Sequence, residues 1–277
     1  MAIITLTTDF GEKDYFAGAV KGAIHSELDE VKIVDISHSV SPFHISEAAY
    51  IIKNAYKSFP KGSIHIIGID SELTPENKHL AVYLDEHYFI CANNGILSLL
   101  ASEIKPGKIV EINIHDKIDT NFPVLDVFVK VACHLARGGT LEVIGKNISE
   151  IKYLKQFEPL VNTEKNQIIG HVLYIDNYGN VVTNISRKMF ENVGKGREFT
   201  LSARMVSFPE IFENYSDAIN FKIEKDKRGE EDGKKLAIFN SAGYIELAIY
   251  KSNPYTVGSA STLFGLDLLD TVTIKFE

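Results

Sequence analysis

Two cysteines in 277 residues, Cys91 and Cys133, are too few and too far apart for a disulfide framework, and no Cys-x-x-Cys pair is present. Both lie in apolar runs and read as buried thiols of a reducing compartment. No stretch approaches the ~18 apolar residues of a membrane-crossing helix, and the N-terminus has no basic leader, so a cytoplasmic protein without a membrane partner is expected. A Lys/Arg block is also missing and the formal net charge is -8, which argues against nucleic acid or an anionic membrane as partner. There is no His-Glu-x-x-His. His38, His44, His65, His79, His87, His115, His134 and His171 are scattered, each reading as a surface or core histidine, so no metal is expected. No Gly-x-Gly-x-x-Gly follows the first strand, and phosphate-binding loops and serine-nucleophile elbows are absent.

What is there is a globular composition, 45% hydrophobic and 24% charged, able to bury a sizeable core in one large or two ordinary domains. The opening residues organise the rest. The β-rich run Ala2-Ile3-Ile4-Thr5-Leu6 leads into Thr7-Thr8-Asp9-Phe10-Gly11, and Asp14 is placed to cap a helix through Tyr15, Phe16, Ala19, Val20, Ala23 and Ile24. A strand that ends in a polar turn and feeds a helix opens an α/β unit, and ligands of such sheets sit at the carboxyl ends of the strands. Asp9 stands there; it either meets a ligand or shapes the turn.

The chain continues with a strand Val31–Ile36, ending at Ser37-His38-Ser39, then a loop with Pro42 and Phe43. Ser46 is expected to cap a helix over Ala49, Ile52, Ala55, Tyr56 and Phe59. Ser63–Ile69 is nearly continuous in apolar residues, as a buried parallel strand should be, and delivers Asp70 to the same edge as Asp9. A hairpin (Leu80–Leu84, Tyr88–Cys91), a helix after Asn93-Asn94-Gly95, a strand Lys108–Ile112 and a helix Phe122–Ala136 complete an N-terminal α/β domain over 1–150 with a mostly parallel sheet. Residues 151–167 read as a linker. Residues 168–277 read as an all-β barrel, with strands at Ile168–Ile175, Val181–Ile185, Phe199–Val206, Lys235–Phe239, Tyr244–Tyr250 and Asp270–Phe276. The charged run 225–235 reads as a solvated hairpin.

Asp9 and Asp70 end neighbouring strands; facing one cleft, they can hold a diol, orient a water or shift each other's pKa, whereas apart each simply caps a helix. The C-terminal domain offers two polar turns, Asp176-Asn177-Tyr178-Gly179-Asn180 and Asn240-Ser241-Ala242-Gly243-Tyr244, of a composition common in hairpins. Amide-rich turns beside aromatics can also bind and stack a planar base, for which Tyr178 and Phe43 are the candidates.

Together these stretches resemble the S-adenosylmethionine hydroxide adenosyltransferases, relatives of the fluorinating and chlorinating enzymes. The motifs are Leu6–Gly11 with Asp14, Gly18, Lys21 and Gly22; Asp35-Ile36-Ser37-His38 with Pro42-Phe43; Asn93-Asn94-Gly95; His134-Leu135-Ala136; Asp176 to Asn184; and Asn240-Ser241-x-Gly243-Tyr244-x-Glu246. The resemblance implies an α/β domain followed by a β-barrel. It also implies a homotrimer with sites between neighbouring subunits, and S-adenosylmethionine as substrate with no further cofactor. By the same resemblance Asp9 binds the ribose hydroxyls and Phe43 covers the sugar or methionine side. Tyr178 and Asn180 handle the adenine, Asp176 and Ser241 hold the methionine amino acid, and Asn240 belongs to the substrate-binding set.

The implied reaction is attack of water on the ribose 5' carbon, releasing methionine and adenosine. Family members surround that water with an Asp, an Arg and a His. Asp70 matches the aspartate and is the catalytic candidate; the arginine position carries Asn77 and the histidine position Pro123. Losing a positioned acid–base group costs ~10² to 10⁴ in rate, and Lys78 cannot reproduce the guanidinium fork. The expectation is therefore a slow or altered adenosine-forming hydrolase. The alternatives are a binding protein that has lost turnover and, because Glu72 and Val124 change the pocket wall, an enzyme for another nucleoside.

Overall fold

The computed structural model describes residues 2–101, 104–114 and 120–277, apart from the side chains of 225 and 226. The chain divides into two compact units, Met1–Gln156 and Phe157–Glu277.

The first unit begins with β1 (Ala2–Thr8), α1 (Phe16–Glu27), β2 (Val31–Ser37), α2 (Ile45–Ala55) and β3 (Ile64–Gly68). It continues through β4 (His79–Leu84), β5 (His87–Ala92), α3 (Ile96–Leu100), β6 (Lys108–Ile112), α4 (Val129–Ala136) and β7 (Gly145–Asn147). The sheet order is β2-β1-β3-β5-β4-β6-β7, with β2, β1, β3 and β5 mutually parallel and β4 antiparallel to both its neighbours. Helices cover both faces, which is why the central strands are apolar on both sides. Ile4, Leu6, Ile64 and Ile66 pack with Val20 and Ile24 of α1 and with residues 124–135. On the other face Ile67, Ile69, Leu80 and Val82 pack with Ala48 and Ile52 of α2 and with α3.

The second unit holds β8 (Leu160–Val161), β9 (Gln167–Ile175), β10 (Val181–Ser186), α5 (Arg187–Gly194), β11 (Phe199–Ala203), β12 (Val206–Phe208), β13 (Lys235–Phe239), β14 (Tyr244–Ile249), α6 (Ala260–Phe264) and β15 (Thr271–Phe276). Its strands pair antiparallel in the order β12-β11-β15-β9-β10-β14-β13, with β8 on β9. The open ends approach each other: Phe212 N, just beyond β12, donates to Ala237 O of β13 at 2.8 Å, and Lys235 Nζ reaches Ser207 O at 3.0 Å. The sheet is a nearly closed barrel, and pairing its edges removes exposed donors and acceptors.

The α/β-plus-barrel class is as expected, but four local readings are corrected. Asp14 does not cap α1, whose N-terminal boundary is Tyr15 with no side-chain cap. The cap of α2 is His44, accepting from Glu47 N, not Ser46. The strand expected over Phe199–Val206 turns at Arg204, which has φ 49°, and returns as β12. The run 225–235 is a 3-10 helix over Lys225–Glu231 followed by the start of β13, not a hairpin. Within 151–167, Ile151 and Leu154 pack against the first unit's core, while Leu160–Val161 pairs with β9.

Candidate functional site

At the carboxyl end of β1 the chain turns sharply. Gly11, at φ 68°, donates its N–H to His38 O at 2.7 Å. The buried Thr8 hydroxyl is 2.7 Å from His38 Nδ1, while His38 Nε2 lies 3.1 Å from Asp35 Oδ1, and Lys21 Nζ bonds the other oxygen of that carboxylate. Partial burial pushes the Asp35 carboxyl up, but Lys21 and His38 outweigh it and hold it below the usual range. This chain of contacts ties the end of β1 to the loop after β2, and Asp9 is presented between them. Its Oδ2 accepts from Phe43 N at 2.8 Å, and Phe43 is 73% exposed. Burial raises the Asp9 pKa; the backbone N–H of Phe43 and its own N–H offset part of this, and the charge of Asp70 adds to the rise. The structure thus brings Asp9, Phe43 and Asp70 to one edge of the sheet.

Asp70 is itself held at φ 44°. The loop it begins is closed by Asn77, whose Nδ2 donates to Asp70 O at 2.9 Å and to Glu72 O at 3.2 Å while its backbone N bonds Thr74 Oγ1 at 2.9 Å. Asn94 Nδ2 pins Ile69 O at 2.9 Å, and His79 Nε2 lies 2.8 Å from Ser71 O. Asn77 is buried, so its amide frames the loop. Pro123 leads into a π-helical turn, Val124–Phe128, that runs on into α4. Single π turns inside helices recur at functional sites. Val124 and Thr8 crowd the end of β3 so closely that a Cβ on Gly68 would lie 3.1 Å from each. The rings of Phe10, Phe16 and Phe122 close this corner with centroids 5.4–5.7 Å apart.

In the second unit the two polar turns are joined by side chains that the sequence reading did not assign a role. Asp176 Oδ1 accepts from Tyr178 N at 2.9 Å and Asn180 N at 2.8 Å, fixing the first turn. Gly179 sits at φ 73° against Ser259, where a Cβ would meet Oγ at 2.2 Å, so only glycine fits. The Tyr178 ring is 67% exposed. Asn180 Nδ2 donates to Asp176 Oδ2 at 3.0 Å and to Tyr215 Oη at 3.3 Å; the Tyr215 hydroxyl donates to Glu246 Oε1; and Asn240 Nδ2 donates to Glu246 Oε2 at 3.1 Å. Asn240 Oδ1 then accepts from Ala242 N and Tyr244 N, both at 3.1 Å, leaving Ser241 exposed at the tip of the second turn. Burial raises the Glu246 pKa, partly offset by Tyr215 and Asn240, and burial with the Glu246 hydrogen bond drives the Tyr215 phenol far above its ordinary value. A carboxylate in the middle of the apolar strand Tyr-Ile-Glu-Leu-Ala-Ile is the signal that could have flagged Glu246.

Among the described residues no group of three or more His, Cys, Asp or Glu side chains is arranged to hold a metal, and no helix is long and apolar enough to cross a membrane. His115 lies outside the described residues.

Comparison with known proteins gives a consistent result. Two family models match: the SAM hydroxide adenosyltransferase N-terminal domain over residues 4–145 and the C-terminal domain of the same family over residues 170–273. The chain is 28% identical to the (R)-S-adenosyl-L-methionine hydrolase of Methanocaldococcus jannaschii, over 99% of this chain and 96% of that protein. It is 23% identical to a fluorinase of Actinopolyspora mzabensis, covering 89% and 90%. Among solved structures, an uncharacterized conserved protein of Thermotoga maritima superposes with a TM-score of 0.82 at 26% identity, covering 99% of both chains. A conserved hypothetical protein of Thermus thermophilus, at 21% identity and a TM-score of 0.72 over 99% of this chain and 100% of that one, shares the fold.

Proposed function

Since this chain belongs to the SAM hydroxide adenosyltransferase family, we propose that it is an S-adenosylmethionine hydrolase that forms adenosine and methionine, working as a cytoplasmic homotrimer with no cofactor beyond its substrate. The observation that carries this reading is the meeting of Asp9, Phe43 and Asp70 at the carboxyl end of the sheet. In the proposal Asp9 binds the ribose hydroxyls, Phe43 covers the sugar or methionine side, Tyr178 and Asn180 take the adenine, Asp176 and Ser241 hold the amino-acid end, and Asn240 belongs to the same substrate-binding set. The water oxygen attacks C5', the C5'–S bond breaks, and its electron pair stays on sulfur, so methionine leaves as a neutral thioether. One water proton must go elsewhere, and Asp70 holds the water or takes that proton.

The second reading, a binding protein without turnover, is favoured by Asn77. Its two N–H bonds go to the carbonyls of Asp70 and Glu72, so its amide serves the loop where the resemblance calls for a cation. The two readings separate on incubation of the protein with S-adenosylmethionine followed by chromatography. Adenosine that rises with protein concentration and falls in Asp70→Asn supports the hydrolase; Asn tolerates the left-handed backbone at that position. Saturable binding without product supports the binder. Binding of no adenosyl compound removes both.

A further inference from the structure

Glu246 and Tyr215 take no part in the proposed reaction, yet they are hydrogen-bonded in series to Asn180, a residue that does. The phenol of Tyr215 has one proton, and it goes to Glu246 Oε1. Toward Asn180 the same oxygen can then only accept, and Asn180 supplies an N–H at 3.3 Å. The second N–H of that amide goes to Asp176 Oδ2, another oxygen that only accepts, at 3.0 Å. Both N–H groups are thereby committed, and a reversed amide would set its carbonyl oxygen against two acceptors. Glu246 is in turn oriented by Asn240, whose Nδ2 occupies Oε2 at 3.1 Å. Glu246 is buried at 5% exposure, on a strand paired on both sides, with Val182 and Ile238 as its register partners. The proton order from Glu246 on its strand, through Tyr215 in a 3-10 turn, to Asn180 in the first polar turn is therefore set before any ligand arrives.

We infer that Tyr215 and Glu246 are positioning residues that lock the Asn180 side-chain amide with its carbonyl oxygen as the group left for the ligand, so that the site selects a purine bearing an amino donor over one bearing an oxo group. The inference rests on the adenosyl reading above and adds the basis of base discrimination to it. A site that offers an acceptor gains a hydrogen bond from an exocyclic amine and meets lone-pair repulsion from a carbonyl.

The test is the ratio of affinities for adenosine and inosine, measured by titration calorimetry on the full-length wild type and on Tyr215→Phe, with thermal melting as a check of folding. The wild type is expected to favour adenosine by about ten-fold or more, and Tyr215→Phe to narrow that ratio several-fold, since one of the two acceptors holding the amide is gone. A brace with only a structural role would lower both affinities together and leave the ratio unchanged, and that result overturns the inference. So does a wild type that binds both nucleosides equally, with the adenosyl reading still standing. If the wild type binds neither, the functional reading fails first and this one goes with it. Should Tyr215→Phe not fold, Glu246→Gln is read by the same ratio: Gln cannot accept from both Tyr215 and Asn240, so one of the two orienting bonds is lost.

Discussion

Phe43 donates its backbone N–H to Asp9 Oδ2 at 2.8 Å while holding φ 62°, a conformation that costs an L-residue of its size roughly 1–2 kcal/mol. The carboxylate that resemblance assigns to a ribose is thus also the anchor of the aromatic beside it. Phe43→Gly is expected to relieve the backbone strain and lose the exposed ring, giving a melting temperature no lower than the wild type together with weaker binding of adenosine. Calorimetry and thermal melting read the two effects separately. A variant that melts several degrees lower with unchanged affinity contradicts this account of Phe43.

Asn77 closes the loop that begins at Asp70 by donating to two carbonyls from a position only 8% exposed. Asn77→Ala is expected to cost ~1–3 kcal/mol, the range for leaving buried polar groups without their partner. Asn77→Arg alone is expected to destabilise as well, since it adds bulk and removes the same two bonds. Urea unfolding measures both, and an Arg variant as stable as the wild type would contradict the loop-closing role.

His65 is buried on β3 between the Thr5 hydroxyl, 2.7 Å from Nδ1, and His87, 3.2 Å from Nε2. Burial, with a smaller contribution from His87, pushes its pKa down to about 3 from 6.5. The folded state therefore keeps this ring neutral while the unfolded chain protonates it below pH 6.5. Its contribution to stability is complete above 6.5 and is lost as pH falls from there toward 3, by up to about 1.4 kcal/mol per pH unit. Urea midpoints at pH 7, 5.5 and 4.5 are expected to fall more steeply for the wild type than for His65→Gln. Parallel slopes would contradict the assignment.

Cys91 and Cys133 are both free and fully buried. Burial holds the Cys91 thiol far above its ordinary pKa and pushes Cys133 up to about 11. Both are expected to resist iodoacetamide in the native protein at pH 8 and to react after denaturation, as intact-mass spectrometry would show. Rapid native alkylation of either would mean that the surrounding core opens readily.

The strands were legible because burial on two faces leaves an apolar run and burial on one face leaves alternation; β3 and β9 are examples. The placement of Asp9 and Asp70 followed from the rule that polar turns close the carboxyl ends of such strands. The caps were misread because Asp14 and Ser46 have the right chemistry but sit a residue or more from the position that bonds the first turn; His44 does that work. The split at Arg204 was hidden because a non-glycine residue at positive φ carries no compositional mark. The bracing by Tyr215 and Glu246 joins positions 31 residues apart, and no local pattern encodes a hydrogen bond of that span.

The central claim is that water displaces methionine at the ribose 5' carbon. It is tested most directly by incubating the protein with S-adenosylmethionine in ¹⁸O-labelled water and weighing the nucleoside product by mass spectrometry. Adenosine carrying one ¹⁸O in its 5'-hydroxyl, formed in proportion to protein and lost in Asp70→Asn, is the predicted result. Recovery of intact S-adenosylmethionine with no adenosine above the protein-free control, or adenosine without the label, would contradict it.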